Sequence, residues 1–217
     1  VRVRDIPGAL KAAAAAVAAD PGDADAQILY QDLLRRDKPE RVLAADYKTA
    51  AAAKPDDPLL LYLSTRLLKP DEAAREFAAQ VLKFPASPWP HEGRAAALDA
   101  LGKKEDAAVE RDAAVSANPR EPRFRVSQAR AFEAAGQWAQ AAETWKLAVG
   151  LRPNDLASIL GLGEAQRRAG LLDEALLQFD AAAKLDPKDA EPPYRTGLVH
   201  IDARRFDDAL KSLDASI

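Results

Sequence analysis

Between residues 156 and 189 the apolar and small side chains fall into two runs at helical spacing. The first places Ile159, Leu162, Gly163 and Gln166 along one side, at steps of three, one and three. Gly170 then turns the chain, and the second run repeats the spacing with Leu172, Ala175, Leu176, Phe179, Ala182 and Leu185 before ending at Pro187. Small residues at Gly163, Ala175 and Ala182 let two antiparallel helices approach closely, and Phe179 fills the space between them. The pattern predicts a helix pair joined by a glycine turn.

The same pattern recurs. Pro21, Pro55, Pro85, Pro119, Pro153 and Pro187 are separated by 34 residues in four intervals and by 30 in one. Each sits beside turn formers at the end of a helical stretch, as in Asp20-Pro21-Gly22-Asp23 or Arg152-Pro153-Asn154-Asp155. Fifteen prolines in 217 residues are therefore compatible with helices, because these ones separate helices instead of interrupting them. A fixed period of this length is the signature of stacked repeats, in which each unit packs only on its neighbours.

Leu162-Gly163, Gly170, Ala175, Phe179, Ala182 and Pro187 occupy the places of the tetratricopeptide pattern, and the chain resembles that family over nearly its whole length. The preceding unit supplies Ala129, Phe132, Gly136, Ala141, Trp145, Ala148 and Pro153, and the following one Gly197, Ala209 and Leu213. The unit from Pro88 keeps register with Ala95, Leu98, Gly102, Ala107, Ala114 and Pro119 but has Arg111 where an aromatic is expected. Two earlier units depart further. One carries Gln31 for the small residue and Lys38-Pro39 for the glycine turn; the other is four residues short and turns through Lys69-Pro70. The resemblance implies an all-α, right-handed superhelical solenoid of antiparallel helix pairs spanning 1–217. Its divisions are a leading half-unit at 1–23, with a lone helix at about Ile6 to Ala19, and repeats at about 24–57, 58–87, 88–121, 122–155, 156–189 and 190–217.

It also implies where a partner sits. Stacked first helices line a concave face, and by family analogy the groove positions are Leu59, Tyr62, Arg66, Trp89, Arg123, Val126, Arg130, Leu160, Glu164, Arg168, Tyr194 and Leu198. Aromatic anchors and arginine forks suit an extended or helical protein segment with apolar anchors and acidic residues. One subclass of the family clamps the C-terminal carboxylate of a chaperone tail with lysines and asparagines. Here those places hold Val126 and Arg130, then Leu160 and Glu164, and Glu164 is expected to repel an acidic tail.

Composition narrows the function classes. The sequence is rich in alanine, with 48% hydrophobic and 30% charged residues and 6% aromatics, which suits closely packed helices. Thirty-one basic against 34 acidic side chains leave a net charge of −3, so there is no positive excess for a phosphate backbone and no nucleic-acid partner is expected. Cysteine is absent, and the apolar run Leu59-Leu60-Leu61-Tyr62-Leu63 is far short of the roughly 20 residues of a transmembrane helix. His91 and His200 fall in different units without metal-ligand spacing. Asp56-Asp57, Asp71-Glu72 and Asp207-Asp208 stand at helix starts, where they complement the dipole. Gly161-Leu162-Gly163 lies inside a helical run with no strand before it, against a nucleotide loop. No catalytic residues, no cofactor and no metal are expected.

The leading expectation is a scaffold that binds a protein or peptide in its groove. The alternatives are a self-associating structural element and a regulatory or targeting domain whose catalytic partner lies outside these residues. Alanine, arginine and aspartate outweigh lysine, asparagine and isoleucine, which suggests a high-GC bacterial source. Val1 is not an initiator methionine, so the natural N-terminus is expected to lie further out. A cytoplasmic and a periplasmic or envelope-associated location both stay open.

Overall fold

The computed structural model describes residues 6–37 and 40–216. The Lys38-Pro39 turn and the first five residues lie outside them. Among the described residues the chain is all α-helix, thirteen helices with no strand, in two compact units, Val1–Ala117 and Asn118–Ile217.

Unit 1 holds α1 (Ile6–Ala19), α2 (Ala24–Asp37), α3 (Glu40–Ala53), α4 (Pro58–Thr65), α5 (Pro70–Lys83), α6 (Pro88–Ala100) and α7 (Lys104–Ala117). Unit 2 holds α8 (Pro122–Ala134), α9 (Trp138–Leu151), α10 (Leu156–Arg168), α11 (Leu172–Leu185), α12 (Glu191–Asp202) and α13 (Phe206–Asp214). Within each unit every helix packs on its chain neighbours, and α4 also touches α2 and α6, as α12 touches α10. This is the paired-helix arrangement of a tetratricopeptide-like solenoid.

Two kinds of turn set the period. All six periodic prolines lie in turns after a helix, and in each turn the residue two after the proline donates its N–H to the carbonyl just before it, as in Asp57 to Lys54 (3.2 Å) and Asp155 to Arg152 (3.1 Å). Proline is thus at the second turn position, where its fixed φ is already correct. The residues at the end of each turn then cap or start the next helix. Asp57 accepts from the N–H groups of Leu59 and Leu60 (3.0 and 3.1 Å), Asp155 from Ser158 (3.1 Å), and Pro58, Pro88 and Pro122 occupy first positions that have no hydrogen bond to lose.

The turns inside the pairs are of the other kind. Gly102, Gly136 and Gly170 have φ of 76°, 72° and 83°, and each helix before them ends with the same two bonds. Gly136 donates to Glu133 and Gln137 to Phe132, both at 2.9 Å, the Schellman pattern that satisfies the last carbonyls of a helix. Thirty-four residues after Gly170 the same bonds form at Arg204, which donates to Ile201 (2.9 Å), while Arg205 donates to His200 (2.8 Å). Arg204 is held at φ 58°, a left-handed conformation that costs a side-chain-bearing residue about 1 kcal/mol or more. Arg204→Gly is therefore expected to stabilise unit 2 by about 0.5–1 kcal/mol, after allowing for glycine's larger loss of chain entropy. Urea titration of the two proteins checks this; a lower midpoint for the glycine variant refutes the strain reading.

The departures from the repeat pattern are accommodated by polar bonds. Gln31, at a place where the family has a small residue, is fully buried; its Nε2 donates to the Leu63 carbonyl (2.7 Å) and its Oε1 accepts from Arg66 (3.1 Å). Arg111, at the place of Phe179 and Trp145, is 7% exposed and ion-pairs with Asp99. Burial pulls its pKa below the ordinary arginine value, opposed by the charge of Glu92.

Candidate functional site

In unit 1 the candidate residues belong mainly to the core. Tyr62 is buried at 8% exposure, with its ring centroid 6.0 Å from that of Phe77 and 5.4 Å from that of Trp89. Phe77 of α5 and Trp89 of α6 are what cover its ring. Tyr62, expected in the groove, lies in the core cluster of unit 1. Leu59 and Trp89 are half-buried and pack on the same cluster, which includes Leu43, Leu63 and Phe77. Arg66 follows α4 with its guanidinium 5.6 Å from the Tyr62 ring centroid and 3.0 Å from Asp32, so its charge is already engaged.

Unit 2 brings three of the candidates together. Arg130 on α8 and Leu160 and Glu164 on α10 line one cavity of about 320 Å³, with Glu133 of α8, Trp145 of α9, Ala157 and Gly161 of α10, and Arg195 of α12. Its wall therefore draws on three successive first helices. Trp145 is 3% exposed and its indole N–H donates to Glu133 Oε1 at 2.8 Å. A Cβ added at Gly161 would come within 2.6 Å of the indole ring, so glycine is what lets Trp145 lie across α10.

Charge in this cavity centres on Glu164. It accepts from Arg167 at 2.8 and 3.0 Å and from Arg195 at 3.5 Å, with Arg168 at 3.9 Å. Arg167 also pairs with Asp202, and Arg195 with Glu191 at 2.8 Å. Hydrogen bonding to Glu164, and then to Asp202, outweighs partial burial and raises the Arg167 pKa above the ordinary arginine value. Three guanidinium groups thus surround one carboxylate, and the repulsion expected from Glu164 toward an acidic ligand is offset locally. Arg130 is exposed and makes no ion pair among the described residues.

The remaining candidates of unit 2 do not line this cavity. Arg123, at the start of α8, is half-buried, and its backbone N–H donates to Glu121 at 3.2 Å. Val126 packs on the cluster of Ala129, Trp145 and Leu162. Arg168 lies over the Trp138 ring at 4.8 Å. Tyr194 is 46% exposed and Leu198 is half-buried. Glu133, Trp145, Gly161 and Arg195 were not among the expected groove residues. Gly161 was the available signal, since a second glycine two places before the packing glycine leaves an opening that some large side chain must fill.

No family model matches the chain, and none of the curated proteins compared with it matches either. Solved structures do. YrrB, described as a TPR protein with an unusual peptide-binding site, aligns with a TM-score of 0.66 at 21% identity, over 80% of this chain and 92% of its own. The fold is tetratricopeptide-like. A MamA structure beginning at residue 41, from Desulfovibrio magneticus RS-1, gives 0.64 at 18% identity over 80% and 92%. TTC0263, a thermophilic TPR protein of Thermus thermophilus, gives 0.59 at 21% identity over 95% and 100%. At these identities the likeness concerns the tetratricopeptide-like fold alone, and folds of this kind host binding sites by varying side chains on a constant frame. Among the described residues no cluster of three or more metal-ligating side chains occurs, and no helix is long and apolar enough to cross a membrane.

Proposed function

We propose that the chain is a non-catalytic scaffold that binds a protein or peptide, and that in unit 2 the first helices α8, α10 and α12 form the receiving face. The observation that carries this reading is the shared cavity, where Arg130, Leu160 and Glu164 meet the edge of Trp145. An apolar side chain of the ligand enters against Leu160, Ala157 and Trp145, and an acidic side chain pairs with Arg130, which has no partner ion among the described residues. The peptide-binding property in the name of YrrB belongs to that protein; it supports the reading here only by showing that the frame tolerates such a site.

The test is selection of peptides from a displayed random library on the immobilised chain, followed by anisotropy titration of the selected sequences. Peptides with an apolar residue near an acidic one are expected, and Arg130→Glu should weaken them about tenfold or more, as loss and reversal of a charge contact implies. Leu160→Ala should weaken them by a smaller factor. Peptides that bind Arg130→Glu and Leu160→Ala as well as the original chain, with both variants folded by circular dichroism, would place binding elsewhere.

A further inference from the structure

The cavity of unit 2 has four charged residues in its lining, and their signs cancel: Arg130 and Arg195 against Glu133 and Glu164. Three of the four are already engaged. Glu133 accepts from the Trp145 indole, Arg195 donates to Glu191 at 2.8 Å and to Glu164 at 3.5 Å, and Glu164 accepts from Arg167 at 2.8 and 3.0 Å. Arg167 is paired in turn with Asp202. Arg130 is the lining cation that makes no ion pair among the described residues. The site therefore offers a ligand one open positive charge, with a carboxylate standing in the same wall.

This balance decides how much negative charge a ligand can bring. A carboxylate side chain brings one charge, which Arg130 neutralises. A phosphoryl group carries about −1.5 to −2 at neutral pH, and its second charge has no open cation to meet, because Arg167 and Arg195 each lie between two carboxylates of the chain itself. It meets Glu164 instead, whose side chain is only 24% exposed, and like charges brought together at such a site weaken binding. Size is not the obstacle, since a cavity of about 320 Å³ has room for either group.

Arginines converging from two helices are ordinarily an arrangement for holding a phosphate. Here Arg167 of α10 and Arg195 of α12 converge on a group that the chain supplies itself. Resting on the reading of this cavity as the ligand site, we propose that Glu164 sets its specificity: it fills the anion place between Arg167 and Arg195, and so confines the site to ligands with a single carboxylate for Arg130 and excludes phosphorylated ones.

The experiment takes a peptide selected on the original chain and prepares it in two forms, with glutamate or with phosphoserine at its acidic position. Anisotropy near neutral pH gives the affinity of each form for the original chain, Glu164→Gln and Glu164→Asp. The original chain is expected to bind the phosphoserine form no more tightly than the glutamate form. Glu164→Gln keeps the length and an acceptor for Arg167 but removes the charge, and should shift the affinity ratio about tenfold toward phosphoserine, the size of one like-charge contact at a partly exposed site. Glu164→Asp keeps the charge and should keep the original ratio. Both forms meet the same folded protein, so a purely structural role of Glu164 in bracing α10 against α12 would cancel from the ratio. Tighter binding of the phosphoserine form by the original chain overturns the proposal, and this arm decides even if Glu164→Gln does not fold. A ratio that Glu164→Gln leaves unchanged overturns it too. Peptides that depend on Arg130 but show that unchanged ratio sink the role of Glu164 alone, whereas peptides indifferent to Arg130→Glu sink the proposed function and this inference with it.

Discussion

Phe179→Ala is expected to destabilise unit 2 by about 3–5 kcal/mol, the range for removing a fully buried aromatic ring. The ring is 0% exposed and joins Ala175 and Val199 in a cluster edged by Leu160, Leu172 and Leu176. What faces it on α10 is Gly163, where a Cβ would come within 2.6 Å of the ring. Gly163 and Ala175 have no atoms that can lean into the space left behind, so only the flanking Val199 and leucines can refill it in part, and the full range for a lost aromatic ring applies. A domain of ordinary stability has about 5–15 kcal/mol in total, so the variant sits near the edge of folding. Urea titration by tryptophan fluorescence reports chiefly on unit 2, since Trp138 and Trp145 lie there and only Trp89 in unit 1. A loss under about 1.5 kcal/mol would mean that α10 and α11 are not held apart by this ring.

The second large effect runs in the opposite direction, from too little space. Gly161→Val is expected to cost about 2–3 kcal/mol, at the upper end of ordinary overpacking, because the added carbon meets three atoms of the Trp145 indole at 2.6, 2.7 and 2.9 Å. The indole cannot swing aside cheaply. It is 3% exposed, and leaving its place breaks the 2.8 Å bond to Glu133. Combining Gly161→Val with Trp145→Leu should therefore cost at least about 1 kcal/mol less than the sum of the two single variants, a coupling expected only of residues in contact. Additivity within about 0.3 kcal/mol would show that the two side chains do not share that space. Because both line the cavity of unit 2, Gly161→Val should also weaken any peptide selected on the original chain.

The frame was legible because its determinants are local. A proline at the second position of a turn and a glycine at a left-handed helix end act within three or four residues, and both recur at 34, so the period shows them plainly. Arg204 is the exception that sequence reading passes over, since only the geometry shows that the last of these turns is made by a residue with a side chain. The site was less legible because a groove position is defined by what the neighbouring helices leave uncovered. Tyr62 occupies a family groove position but is covered by Phe77 and Trp89. Glu164 reads as a lone acid in sequence and is ringed by Arg167, Arg168 and Arg195, one of them from the next repeat.

Val126, Leu160 and Tyr194 stand 34 residues apart, as do Arg130, Glu164 and Leu198. On the proposed receiving face of unit 2 these places form two columns, with one residue of each column on every first helix. Changing what is recognised then needs no new backbone: a single helix can be exchanged and only its own row of the face is rewritten. Were that face to bind as proposed, recombination between repeats of one gene would be enough to change its ligand, because the turns of each kind share their bonding and let an exchanged piece reconnect.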